Sequence, residues 1–318
     1  MAAPMELFCW KGDWGLPSVD SESLTVLVGE AYARFSGAPM RVHKLSNPWR
    51  SPSGVLPALK AEKMVLSQPL QILAYLRKQK YNADYILSAT QGADTMAYSS
   101  LIEEKLLPAL IYAFWVDSKN YVSFTRPWYA EAIPFPLNFF LPNRMHTRCL
   151  ERLRLIRVNW WPDSEEAENE IYKDARECLT LLSQRLGSNK FFFGDSPSSL
   201  DAVVFGHLAP VLKAKLPNGK LQQHLHSLDN LCTLCTSVLS LYFPSDGPDP
   251  DLPTPRKAPS DSEEEPNKRR NQVLSVLVAL AAMLGYAFLS GMVSLQRVAP
   301  HAALRQSSPM EDEEEEGE

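Results

Sequence analysis

The period of apolar and polar positions changes along the chain, and the changes mark out its parts. Met5 to Trp10 predicts a short strand and Gly12 to Pro17 a turn, after which Leu24, Leu27, Val28, Ala31 and Phe35 share one helical face. Met40 to Leu45 predicts a second strand. Beyond a polar, Pro-rich loop at Ser46 to Gly54, the segments Val55 to Lys60 and Lys63 to Leu66 lie close enough for a hairpin, and Ile72, Leu73 and Leu76 mark a helix after it. The order is β-α-β, then β-β-α. From about Asp84 to Phe243 the pattern is helical, with Met96 to Phe114, Ile171 to Leu186 closed by Gly187, Leu200 to Leu216, and Leu221 to Leu241 as expected helices. The expected class is α+β.

A different pattern follows. Pro244 to Pro266 is rich in Pro, Asp and Ser and holds the run Glu263, Glu264 and Glu265, a composition that cannot bury enough apolar surface to fold. Val273 to Leu295 is then uncharged throughout, with Val273, Leu277, Leu280, Leu284, Phe288 and Leu295 along it. At 1.5 Å per residue it reaches roughly 35 Å, enough for a hydrocarbon core of about 30 Å. A buried helix of a soluble core is the bland alternative, but such helices are shorter and polar on one face. The basic flank Lys268, Arg269 and Arg270 precedes the segment, so the body is expected on the cytosolic side. The first residues carry no signal-peptide or presequence pattern, and little chain follows Leu295, so a tail anchor is expected. Ala281 with Gly285, and Ala287 with Gly291, repeat at the spacing that lets helices approach closely, a spacing also common by chance.

Composition narrows the partners. The formal charge of -5 owes much to the acidic run Glu311 to Glu318, and the rest is slightly positive, with no basic face pointing to nucleic acid. The five cysteines, Cys9, Cys149, Cys178, Cys232 and Cys235, are irregularly spaced in a chain too large to need disulfide staples, which fits a reducing compartment.

Two local signals carry a resemblance. In Leu56-Pro57-Ala58-Leu59 a proline opens a strand, and in Gly194 to Asp201 the residues Ser198 and Asp201 stand at N-cap and N3 spacing before an apolar run. With the two-half order, these resemble the glutathione-transferase fold, in which that proline is cis and that capping box starts the sixth helix. The resemblance implies a thioredoxin-like domain at 1–81 and an all-helical domain at 82–243, to which composition adds a linker at 244–272, a single C-terminal transmembrane helix at 273–295 and an acidic tail at 296–318.

The start MELFCWKGDWGLPSVD, the stretch KYNADYILSATQGADT, the run PFPLNFFLP and the element ECLTLLSQRLGSNKFFFGDSPSSLDA are, together with the anchor, similar to the metaxin family, with Arg154 to Glu168 and its Trp160-Trp161 pair matching least. The resemblance implies a mitochondrial outer-membrane protein, its body facing the cytosol and its short tail in the intermembrane space. It also implies an accessory role in the sorting and assembly machinery for β-barrel proteins. The implied partners are metaxin-2, the barrel-forming core subunit, an inner-membrane organising complex and membrane lipid.

An enzyme reading has to meet the residues that would bind glutathione. In active transferases an acid or Gln precedes a Ser whose hydroxyl and N–H hold the γ-glutamyl carboxylate, whereas here the pair is Gln68-Pro69, and proline supplies neither donor. With Pro57 these make a degenerate glutathione site, and no cofactor is expected. Cys9, Trp10 and Ser18 are the candidates to activate a thiol, but the helix after Cys9 starts too late to lower its pKa. Cys232 and Cys235 fall within an apolar helix, His224 and His226 on opposite sides of a turn and His43 on a strand surface, so no metal is expected. The aromatic groups Phe114-Trp115, Trp128-Tyr129, Phe139-Phe140 and Phe191 to Phe193 read either as core or as partner anchors. The expected function is a non-catalytic scaffold, not an enzyme; the alternative is an adaptor recruiting cytosolic motor or bridging proteins, with a membrane-tethered glutathione-dependent enzyme ranked below both.

Overall fold

In the computed structural model the sheet forms where the period is two. The structure describes residues 5–19, 25–62, 64–157 and 165–244, together with Met283. Strand β1 (Met5–Trp10) buries Met5, Leu7 and Cys9 on one face, as alternation requires. It pairs in parallel with β2 (Met40–Leu45) after the crossover helix α1 (Thr25–Phe35). On its other side β1 pairs antiparallel with β3 (Ala58–Ala61), which turns into β4 (Met64–Leu66), giving the order β2-β1-β3-β4. Helix α2 (Pro69–Lys78) closes this half and buries Ile72, Leu73 and Leu76. The expected strand at Val55 to Lys60 is shorter: Pro57 has no N–H for a ladder, and β3 starts just after it. The Leu56–Pro57 peptide is cis, as is Phe135–Pro136.

The second half is helical. It runs through α3 (Ala89–Leu101), α4 (Leu107–Ile111), α5 (Ser118–Asn120), α6 (Arg126–Ala132), α7 (Leu137–Ile156), α8 (Glu165–Leu186), α9 (Ser199–Lys213), α10 (Lys220–His226) and α11 (Asp229–Tyr242). Two expectations are corrected here. The single helix at Met96 to Phe114 is instead α3 and α4 with π-helical turns at Ile102–Leu106 and Tyr112–Val116, and a third π turn at Tyr121–Thr125 leads into α6. Pro108 and Pro127 follow two of these turns; a ring without an N–H forces the ladder to re-register around it. The helix expected at Leu221 to Leu241 is two, because Ser227 turns both its N–H and its hydroxyl onto the His224 carbonyl, at 3.1 and 2.7 Å, and ends α10.

Leu110, Ile111, Leu179, Leu182, Val204 and Phe205 are fully buried and form the centre of the helical half. The chain divides into two units, Met1–Gly247 and Pro248–Glu318, and the elements above belong to the first. The expected spanning segment at 273–295 (save Met283), its basic flank, most of the linker, the acidic tail and the Trp160-Trp161 pair lie outside the described residues. Among the described residues no helix is long and apolar enough to cross a membrane.

Candidate functional site

The site to test lies where β1 ends and the loop to α1 meets the helical half. Gly12 allows this loop to fold tightly: a Cβ there would stand 2.2 Å from the Leu16 carbonyl oxygen and 2.5 Å from that of Pro17. Trp14 and Gly15 then turn with positive φ, and the Leu16 N–H donates to the Asp13 carbonyl at 2.8 Å. The turn aims two side chains at α6. Trp128 Nε1 donates to Asp13 Oδ2 at 2.7 Å, and the Trp14 ring packs against Phe124 and Trp128, with centroids 4.9 and 5.3 Å away. Tyr129 extends the cluster, its ring 4.6 Å from Trp128, 5.4 Å from the buried Trp115 and 5.7 Å from Trp10. Aromatic pairs at these distances are worth about 0.5–1.5 kcal/mol each beyond the area they bury.

The residues expected to mark a degenerate peptide site sit at the start of β3 and of α2. Pro57 directly precedes β3, Gln68 is the N-cap of α2 without a side-chain cap bond, and Pro69 follows in the first helical turn. Position 69 therefore offers an anion neither an N–H nor a hydroxyl. A hollow of about 430 Å³ remains beside Trp10, lined by Lys11, Asp13, Trp128 and Glu131 among others. Neither Cys9 nor Ser18 opens into it, since both are fully buried and neither is among its lining residues. The Ser18 hydroxyl has no hydrogen-bond partner among the described residues.

The two halves are joined by a polar network that the pattern along the chain did not reveal. Arg77 on α2 donates from Nη2 to Asp84 Oδ2 at 2.6 Å and from Nε to the Tyr32 hydroxyl at 3.3 Å. Asp84 accepts the Ser199 N–H at 2.7 Å on Oδ1, so one carboxylate holds both a guanidinium and the first N–H of α9. Burial pushes the Tyr32 hydroxyl pKa up, while the Arg77 guanidinium, held by Tyr32 and Asp84, is also raised despite its desolvation. Asp84 is 115 positions from Ser199, a separation no local signal reports.

Next to this network stands the capping box. Asp201 is fully buried and accepts from the Ser198 N–H at 2.8 Å, the Ser198 hydroxyl at 2.7 Å and the Phe192 N–H at 3.0 Å. Burial raises its carboxyl above the ordinary value, against these bonds, which hold it down. At the far edge of α1, Arg34 pairs with the buried Glu30 at 3.2 Å, donates to the Tyr242 carbonyl at 2.9 Å and covers the Phe243 ring at 4.6 Å.

The remaining candidates are dispersed. Cys235 is buried on α11 with its thiol pushed up to about 12 by burial, and the half-buried Cys232 lies 3.3 Å from the Leu225 carbonyl. His43 stacks on Phe8 at 4.8 Å on the half-exposed face of β2. Among the described residues no three His, Cys, Asp or Glu side chains are grouped to hold a metal. Of the aromatic groups, Phe114, Trp115, Tyr129, Phe191 and Phe192 are core, whereas Phe139 and Phe140 are exposed.

A thioredoxin-like sheet half followed by a helical half makes this a protein of the glutathione-transferase-like fold. The solved beta-etherase of Sphingobium matches it with a TM-score of 0.50 at 13% identity, over 75% of this chain and 96% of that one. The model for the glutathione S-transferase C-terminal domain matches residues 175–238, and that for an outer mitochondrial membrane transport complex protein matches residues 27–146. The chain is 63% identical to metaxin-1 of Macaca fascicularis over 99% of its own length and 100% of that protein. It is also 53% identical to metaxin-3 of Danio rerio over 76% of its length and 77% of the relative. The chain belongs to the metaxin family.

Proposed function

We propose that this chain is a non-catalytic scaffold subunit of the mitochondrial outer-membrane machinery that imports and assembles β-barrel proteins, held there by a tail anchor at 273–295. A role in an outer mitochondrial membrane transport complex is the part that family membership and the model matched at residues 27–146 support. The observation that carries the non-catalytic part is the cleft. Trp14, Phe124 and Trp128 close on one another where the end of β1 meets the helical half, and Pro69 stands where a peptide carboxylate would need donors. A fold serves many functions, so the likeness to transferases argues nothing about activity by itself. The aromatic cluster and the Arg77–Asp84–Ser199 network join the two halves, which suits a docking role.

The test is replacement of the chain in cells by variants, with native complexes released in mild detergent. The expected result is co-migration with metaxin-2 and the barrel-forming subunit, and slower barrel insertion when the chain is absent. Normal insertion without the chain, or saturable glutathione-dependent turnover of a chlorodinitrobenzene-type electrophile, would remove the proposal. The membrane part has its own test. Release of the chain from mitochondria by carbonate contradicts the anchor, and a body protected from added protease contradicts the orientation.

A further inference from the structure

A second surface of the body gathers exposed rings that neither the core nor the cleft uses. Trp49, Phe135, Phe139 and Phe140 are 65%, 65%, 63% and 72% exposed. Single exposed apolar residues are ordinary, but these lie together. Phe135 and Phe139 meet edge to face at 5.9 Å. Arg144 and Arg148 of α7 share with Trp49 and Val55 the walls of one groove of about 130 Å³. Phe140, Arg144 and Arg148 recur at four-residue spacing, so they form one stripe of that helix. A further groove of about 620 Å³ carries Lys44 and Arg50 beside Pro134, the neighbour of Phe135, with Glu131 as its one carboxylate.

The face carries more positive than negative charge, with Lys44, Arg50, Arg144 and Arg148 against Glu131. Arg144 and Arg148 form no ion pair among the described residues, although like charges one turn apart disfavour a helix. Rings free to enter an apolar layer, set among an excess of cations, match the headgroup region of an anionic bilayer, where aromatic side chains lodge and Lys and Arg meet lipid phosphate.

We propose that this face, with Trp49, Phe135, Phe139 and Phe140 at its centre and Lys44, Arg50, Arg144 and Arg148 around them, seats the folded body on an anionic lipid surface. The inference rests on the membrane address proposed above and not on the barrel-assembly role. Tethering to a bilayer raises the effective concentration of its surface, so even a weak face is occupied. An acidic protein surface would answer the arginines but not the need to bury four rings in a shallow, open region, so lipid is the occupant the chemistry favours.

The experiment reconstitutes the full chain into lipid nanodiscs of phosphatidylcholine alone, or with about one third phosphatidylinositol, and follows hydrogen exchange over 44–56 and 133–150. Slowed exchange in both segments in anionic discs only, reversed by high salt, is expected. Each Arg near an anionic surface contributes about fivefold to partitioning, so Arg144→Gln with Arg148→Gln lowers the partition constant of the face about 25-fold and weakens its protection. A Lys173→Gln control on α8 leaves it unchanged. Exchange that ignores lipid composition while the chain co-elutes with both kinds of disc overturns the face and leaves the anchor standing. Association with anionic discs alone, lost in the double variant, supports the face and contradicts the anchor. Protection that arises only when other outer-membrane proteins are added assigns the face to a protein partner and overturns the proposal.

Discussion

Replacing Asp201 by Ala removes one acceptor group from three donors inside the core. The Ser198 and Phe192 N–H groups, both in buried residues, lose their partner, while the Ser198 hydroxyl can rotate elsewhere. A buried donor left unsatisfied costs about 1–3 kcal/mol, so the two together cost about 2–6. Part of this returns because a buried carboxylate, whose charged form burial disfavours, disappears. A net loss of about 3 kcal/mol is expected. Asp201→Asn keeps one oxygen for Phe192 but turns an amide toward Ser198, and about half that loss is expected. Urea unfolding of the chain in mild detergent, followed by far-ultraviolet circular dichroism, gives both values if the slope with denaturant stays constant. The pH dependence fixes the sign. A carboxyl whose folded pKa lies above its ordinary 3.8 contributes stability that is present below 3.8 and lost as pH rises through the folded value, so the parent's advantage over Asp201→Ala shrinks over that rise. An alanine variant within about 0.5 kcal/mol of the parent, or an advantage that grows with pH, would refute the reasoning.

Three further outcomes follow from other parts of the body. His207 is buried on α9, its Nδ1 2.7 Å from the Val203 carbonyl, and burial lowers its pKa to about 4, with Arg152 adding a smaller push. Since the unfolded chain binds that proton near 6.5, stability is lost as pH falls from 6.5 to about 4, by roughly 3 kcal/mol in all, and His207→Gln flattens that part of the pH profile. Asp84→Ala unfastens Arg77 and the start of α9 together, costing about 2–3 kcal/mol and speeding exchange of the Ser199 amide before global unfolding; unchanged exchange there would show the halves are held by packing alone. A double-mutant cycle of Asp13→Ala with Trp128→Phe should give a coupling of about 1 kcal/mol, and additivity would mean the exposed Asp13 contributes nothing to closing the cleft.

The parts legible in the sequence were those whose physics is local. The alternation in β1, the one-sided apolar stripe of α1 and the Ser198–Asp201 spacing each depend on residues within a turn or two, and the structure places them as their pattern implies. The strand at Val55 to Lys60 begins only at Ala58, because Pro57, which opens it, has no N–H to give the ladder. The break between α10 and α11 was written in Ser227 and Asp229, which are hydrophilic interruptions of an otherwise continuous apolar run. The π turns depend on how a proline-bearing helix packs, and that is tertiary. The contact of Asp13 with Trp128 is not legible in the sequence, because the two are 115 positions apart and no local pattern links them. Phe139 and Phe140 were visible as a pair, but only the burial of their neighbours shows that they face outward.

The body keeps the transferase architecture, and on the proposed reading Pro69 denies the glutathione carboxylate its donors even though a hollow of about 430 Å³ remains beside Trp10. Calorimetric titration of the full chain with glutathione tests it directly, in the same detergent and at concentrations reaching about 1 mM. The account predicts heats of dilution only, unchanged in Trp14→Ala because position 69 still lacks its donors. A saturable isotherm with Kd below about 1 mM in the parent chain would contradict it.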